Sequence, residues 1–369
     1  MKRRLTALCL AAGMVISSIS MAACGGSNGS NASGSSSAEE SGEASGDAAE
    51  KYKGETLTVV GWGGALEDAQ REAIFKPFEE KYGVKINEVN PTDYSTVKAM
   101  CESGKIDYDV VNVQPDFAIR MKDYLEPLDW NIIDKTDFDE KWYNDYYVAS
   151  DLYSTSIVYN TKEFSGDHPS SWADVWDTTK YPGKRTFWDY PTGMLEAALL
   201  ADGVKAEDLY PLDVDRAFKK MDEIKPNVVK WWDTGAESIQ LISNDESSVG
   251  AIWGSRVAEA KSQGQPVEIE SNQGIIGADA WVVLKGDEKK DLAMEFINFA
   301  TRPEQMAAFM KLYPNGSVNV KAYDLLDQDT LDGLATNPEK GKTQIMMDDN
   351  WWVENGDDVI ARYTKWLLQ

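Results

Sequence analysis

Between Thr56 and Val113 the chain alternates short β-branched runs with helical stretches, and this alternation restricts the possible folds more than any other feature. Thr56-Leu-Thr-Val-Val60 predicts a strand, and Gly61-Trp62-Gly63-Gly64 a turn. Leu66 to Tyr82 predicts a helix, because Leu66, Ala69, Phe75, Phe78 and Tyr82 fall near one stripe and Gly83 stands just past the end. Val84–Val89 predicts a second strand, the stretch around Tyr94–Glu102 another helix, and Tyr108–Val113 a third strand. A β-α-β-α-β order needs crossover helices packed on a sheet, so the expected fold class is α/β.

The pattern then restarts. Tyr153–Tyr159 predicts an extended lead into a second α/β region. Extended segments at Arg185–Trp188, Val228–Trp232, Val249–Trp253 and Val267–Glu270 alternate there with helices at Leu195–Ala201, Val214–Glu223 and Glu237–Ile242. Ala280–Leu284 is one more extended run, followed by a helix at Lys290–Ala300 and a segment around Glu304–Leu312. No internal repeat is visible.

Lys2, Arg3 and Arg4 open the chain, and Leu5–Ile19 is apolar but too short to span a bilayer. With Met21-Ala22-Ala23-Cys24 this resembles a bacterial lipobox, predicting a signal peptide over residues 1–23 and lipidation of Cys24. Residues 24–54 then form the lipidated cysteine and a disordered tether of Gly, Ser, Asn, Ala and Glu. Cys9 falls in the signal, so Cys101 alone remains in the folded part and no intramolecular disulfide can form. The formal charge of −25 becomes −28 once Lys2, Arg3 and Arg4 are removed, which argues against nucleic acid as a partner.

Six further segments recur in one order. They are Trp62-Gly63-Gly64, Tyr108-Asp109-Val110-Val111, Ser171-Trp172-Ala173-Asp174-Val175-Trp176, Tyr181-Pro182-Gly183-Lys184, Gly250-Ala251-Ile252-Trp253, and Phe296-Ile297-Asn298-Phe299 with Arg302-Pro303-Glu304. Together, over Thr56–Gln369, they resemble the type II periplasmic solute-binding proteins of the spermidine/putrescine branch. The resemblance implies two lobes joined by a hinge around a ligand cleft, lobe 1 over 55–155 plus 279–313 and lobe 2 over 156–278 plus 314–369. Ser154–Tyr159 and Ala278–Leu284 are the hinge candidates. It also implies a small solute as ligand, the permease subunits of an ABC importer as partner, no cofactor, and an extracytoplasmic location at the cell surface or in the periplasm, with lipid as the membrane anchor.

Candidate ligand-binding residues stand where strands end, since ligands of open α/β sheets meet those ends. Trp62, Gly63 and Gly64 follow the first strand; Gln114 and Asp116 follow another. Asp189 and Tyr190 follow Trp188, Trp231-Trp232-Asp233 repeats that arrangement, and Trp253 ends a strand. In the polyamine-binding relatives, matching positions carry aromatics and carboxylates that grip ammonium groups. Trp62, Trp253 and Asp279 fit that carry-over best, Asp189 and Trp352 more loosely, and Trp351-Trp352 also suits a packed corner.

Arg256 departs from a polyamine pocket, because a guanidinium repels a diamine. It suits a carboxylate clamp opposite an ammonium at Asp279, hence a zwitterion such as an ω-amino acid. The alternative for Arg256 is an ion pair with Glu259 or Glu237. Gly63 and Gly64 could also offer N–H groups to a carboxylate, unless Glu67 and Asp68 already satisfy that helix end.

Two other functions remain to be weighed. An enzyme of the Ser-His-Asp kind would have to use His168, which reads as a solvated loop residue with no G-x-S-x-G turn. One His and one Cys are too few for the usual zinc sites, Asp348-Asp349-Asn350 lacks the spacing of a calcium loop, and a two-carboxylate hydrolase has no linear signature. The Trp-rich composition also suits a carbohydrate-binding or adhesive surface lipoprotein.

Overall fold

The computed structural model describes residues 50–369, so the expected signal peptide, Cys24 and nearly all of the expected tether lie outside the described residues. Tyr52, inside the range expected to be tether, is buried in the first core, so order begins before Glu55. The ring supplies the apolar surface that the Gly/Ser-rich stretch before it lacks. No described helix is long and apolar enough to cross a membrane.

The first predicted helix is a continuous helical run in three parts, Gly64–Gln70, a π-helical turn at Arg71–Phe75, and Lys76–Tyr82. Gly83 closes it at φ +64°, with its N–H bonded to Glu79 O at 2.9 Å. Only glycine adopts that left-handed geometry without steric cost.

All nine strands of the described residues form one sheet. β1 (Thr56–Val60) pairs in parallel with β2 (Lys85–Val89) and β3 (Val110–Val113) to make one wing. β5 (Arg185–Trp188) pairs in parallel with β6 (Val228–Trp232) and β7 (Val249–Trp253) to make the other. Between the wings run β4 (Val148–Asn160) and β8 (Val267–Val282), antiparallel to each other from Val148↔Trp281 to Asn160↔Val267. A short β9 (Ile345–Met346) adds to β8.

Sequence reading broke β4 and β8 into pieces. The cause is local: the ladder skips from Thr155↔Ile275 to Ile157↔Glu270, so Ser271–Gly274 bulges out of β8. Gln273 there has φ +60°, and its carbonyl accepts the Trp172 indole N–H at 2.9 Å. Ser-Asn-Gln-Gly reads as a loop, yet here it is an insertion within a continuous strand.

Each wing is covered on both faces, which makes the fold two-lobed. Strand alternation sends Val110 into a core with Phe78, Trp281, Phe296 and Phe309, and Val111 into one with Val60, Val113 and Val282. In the second wing Ile157 faces Phe187, Leu199 and Tyr363, while Val158 faces Ile242 and Val257. Val318, Ala322, Leu326 and Leu334 pack in the first core. The C-terminal helix Asp349–Leu367, capped by Asp348, buries Trp352, Val359, Tyr363 and Trp366 in the second.

Phe296 sits at the centre of the first core, its ring 5.3 Å from Phe78, 5.7 Å from Trp281 and 5.8 Å from Phe75. Phe296→Ala leaves a cavity among rings that cannot collapse together, and a loss of about 3–5 kcal/mol is expected in urea unfolding.

Candidate functional site

A cavity of about 410 Å³ opens at the ends of the strands, where both wings and the central pair contribute side chains. Trp62 and Gly63 follow β1, Gln114 follows β3, Trp188 ends β5 with Tyr190 just beyond, and Trp253 ends β7. β4 supplies Tyr153 and β8 supplies Asp279. Parallel strands on both sides aim their carboxyl ends at this one place.

Aromatic rings form two walls. On the first-wing side, Trp62 meets Tyr94 edge to face at 5.9 Å, and Tyr94 stacks on Phe117 at 4.0 Å. On the other, Trp188 and Trp253 meet edge to face at 5.3 Å, with Tyr190 5.1 Å from Trp188. Trp232 was expected in the cavity but does not reach it. It is fully buried behind both tryptophans, stacked on Trp188 at 5.8 Å, with its N–H on Ala251 O. Trp232 is the ladder partner of Trp188 on the outermost strand of this wing, so Trp188 and Trp253 stand between it and the cavity.

The floor is acidic. Asp279 on β8 stands directly opposite Asp151 on β4 in the ladder, and both are buried. Asp151 accepts from Ser150 Oγ at 3.1 Å and from Asn315 Nδ2 at 2.5 Å; Asn112 in turn donates to Ser150. The Trp62 N–H approaches the Asp279 carboxylate without making a regular hydrogen bond. Burial, reinforced by the Asp151 charge, pushes Asp279 well above the usual carboxylate range. Burial also raises Asp151, against the pull of its Asn315 and Ser150 donors.

Arg256 lines the same cavity from the helix Gly254–Ser262. Of its two expected ion-pair partners, Glu259 makes a long pair at 3.9 Å, and Glu237 pairs instead with Lys230 at 3.2 Å. Its Nε is buried without a hydrogen-bond partner, as is the Trp253 indole nitrogen. A Cβ on Gly235 would lie 2.6 Å from Arg256 Nε and 3.0 Å from the Trp253 ring, so a bare backbone lets both side chains settle here. Tyr313, whose hydroxyl accepts from Ser255, lies between the poles and feels Arg256 and both aspartates.

The other expected residues lie outside this cavity. Gly64 is exposed, and the Gly63 N–H is already held by Glu67 at 2.7 Å, so this helix end offers no carboxylate site there. Asp189 is exposed beyond the Trp188 wall. Asp116 and Trp352 line a smaller adjoining space of about 30 Å³ that also holds Asp349 and Arg120, while the Trp352 N–H is bound to Glu196 at 2.9 Å. Arg120 pairs with Asp357 at 2.6 Å and lies 3.6 Å from Asp116. His168 lies in a loop as expected and is partly exposed, its ring stacked on Tyr159 at 4.5 Å beside Glu270. No group of three metal-binding side chains occurs among the described residues.

Sequence reading missed Leu66, Tyr94, Tyr153, Trp188, Ser255, Tyr313 and Asn315 as lining residues. Tyr94, Tyr153 and Tyr313 belong to elements with no strand-end signal, whereas Trp188 was visible but passed over for its neighbours.

A family model for bacterial extracellular solute-binding proteins matches residues 73–339. The chain is 34% identical over 334 residues to the gamma-aminobutyric acid-binding protein of Pseudomonas aeruginosa, covering 87% of this chain and 94% of that one. It is 24% identical over 305 residues to spermidine/putrescine-binding periplasmic protein 1 of Haemophilus influenzae, covering 78% and 82% respectively. Among solved structures, the Atu4243-GABA receptor superposes with a TM-score of 0.80 at 40% identity, covering 84% of this chain and 97% of that one.

Burial and the charges of Asp116 and Asp348 push Asp349 up to about 7. An acid raised in the folded state loses stability as pH climbs from its unfolded value to its folded one. Asp349→Asn is therefore expected to match the parent near pH 4 and to exceed it by about 2–4 kcal/mol at pH 8, read from urea midpoints.

Proposed function

The chain belongs to the family of bacterial extracellular solute-binding proteins, and on that premise we propose that it captures a small zwitterionic amine, an ω-amino acid such as γ-aminobutyrate, for uptake by an ABC importer. One observation carries this reading. The aromatic cavity has a buried carboxylate, Asp279, backed by Asp151 with no cation beside them among the described residues and, from the other lobe, a guanidinium with no tightly held carboxylate. A ligand with an ammonium at one end and a carboxylate at the other satisfies both. Asp279 takes the ammonium between Trp62 and the facing rings, where cation–π contact adds about 0.5–2 kcal/mol. Arg256 takes the carboxylate, with the unpartnered Trp253 N–H beside it as a further donor. The names borne by the relatives from Pseudomonas aeruginosa and by the GABA receptor support this choice.

A diamine or polyamine is the second reading, favoured by the adjoining space that holds Asp116 and Asp349. A second ammonium there would be matched by acceptors, at the cost of leaving Arg256 beside the ligand chain.

The lobes proposed are those of the two cores. The packing of Val318, Ala322, Leu326 and Leu334 supports a return to lobe 2 after Leu334 rather than after 313. β4 and β8 are the proposed hinge, and closure of the lobes is the proposed signal to the permease subunits. Export by a signal peptide over 1–23 and lipid anchoring through Cys24 complete the proposal, supported by the lipobox-like Met21-Ala22-Ala23-Cys24.

Binding calorimetry on the purified protein decides between the ligands. Arg256→Ala is expected to weaken γ-aminobutyrate by roughly 10- to 100-fold, the range for a lost hydrogen bond to a charged group, and to leave putrescine unweakened. Equal loss for both ligands would remove the zwitterion reading. Gly235→Ala is expected to act like a milder Arg256 substitution, because its Cβ must displace Arg256 and Trp253. Its melting temperature should barely fall, since alanine favours the helix Gly235–Ser243 by about 1 kcal/mol over glycine.

A further inference from the structure

Asp151 has no place in the cavity wall, yet it is the fully buried partner of the ligand's proposed ammonium acceptor. Two facing carboxylates cannot both hold their charge in so dry a place without a cation, and among the described residues no cationic side chain contacts either one. Every other element packed around them offers acids, phenols or one distant base. Tyr94 comes from the helix Tyr94–Ser103, Tyr153 from β4 itself, and Tyr313 from the end of the helix Pro303–Leu312. Arg256, on the helix Gly254–Ser262, is felt at Tyr313 but not at either aspartate. Asp116 and Asp349 lie beyond Tyr153 and add negative charge.

The donors are divided unequally. Ser150 Oγ and Asn315 Nδ2 both point at Asp151, which fixes it as the charged member. Asp279 has only the imperfect approach of the Trp62 N–H. We infer that the unliganded protein holds one proton between Asp151 and Asp279, carried on Asp279, and that an incoming ammonium group replaces it. The inference rests on the amine-binding reading above. In the exchange the Asp279 O–H bond breaks, its proton passes to buffer, and the freed carboxylate accepts the ligand's N–H groups. Asp151 thus acts as a positioning residue, keeping its neighbour neutral until a cation arrives. Asn315, held by Asp151 through its amide nitrogen, keeps its amide oxygen as a second acceptor for the ammonium.

This makes capture of an amine depend on pH in a range where the ligand itself does not titrate. Calorimetry with γ-aminobutyrate and putrescine at pH 6.5, in two buffers of different ionisation enthalpy, counts the protons released. About one proton per ligand is expected, and affinity should rise nearly tenfold per pH unit while the pair holds its proton. Asp151→Asn, checked by its melting temperature, removes the like charge while burial of Asp279 remains, so the release at pH 6.5 should fall clearly below the parent's while amine binding persists. Binding of either amine by the parent protein without proton release overturns the inference and leaves the amine reading standing. Release that survives undiminished in Asp151→Asn but vanishes in Asp349→Asn also overturns it, assigning the proton to the adjoining space. Failure of both amines to bind is the distinct result that removes the amine reading itself.

Discussion

The pairing of β4 with β8 is the constraint on which the rest of the molecule depends. These two strands, 13 and 16 residues long, are the antiparallel seam between the two parallel wings of one sheet. Because they cross the whole molecule, each core gathers side chains from distant parts of the sequence. Trp281 and Phe296 join residues near the start of the described chain, and Tyr363 joins Ile157. The same strands carry Asp151, Tyr153 and Asp279, so the floor of the cavity belongs to the connection between the wings rather than to either wing.

The cavity gains its character from where charge is left unmatched. The ion pairs here are mostly at the surface, as in the Arg362–Asp215 and Lys261–Glu268 contacts, and contribute little to stability. Asp279 and Arg256 differ because burial removes water and their neighbours do not replace it fully. Rings of Trp62, Tyr94, Trp188 and Trp253 fill the space between, where apolar faces lower the dielectric and sharpen both poles. The bare backbone at Gly235 is the adjustment that lets Arg256 and Trp253 converge.

Much of this was legible from one rule, that ligands meet α/β sheets at strand ends. Trp62, Gly63, Gln114, Tyr190, Trp253, Arg256 and Asp279 stand together in the cavity because their strands point there. The rule fails where it cannot see the order of the strands. Trp232 sits at a strand end like Trp188, but β6 is the outermost strand of its wing, so Trp232 is buried behind Trp188. Asp151 was invisible for another reason. In a chain with 62 acidic residues, one more aspartate in a polar stretch reads as surface, and only the ladder sets it against Asp279. The long strands were fragmented for the same kind of reason, since a bulge of Ser, Asn, Gln and Gly imitates a loop.

The three indoles at 188, 232 and 253 have an optical consequence. Their ring centres lie 5.1–5.8 Å apart, one pair nearly coplanar in orientation and two nearly perpendicular. Chromophores so close share their excited states, so absorbed light belongs to the trio rather than to one ring. Circular dichroism in the near ultraviolet would register the stance of this wall as a collective band, and a small tilt of Trp253 would alter the whole signal. The protein carries a native gauge of its own cavity, with no dye attached.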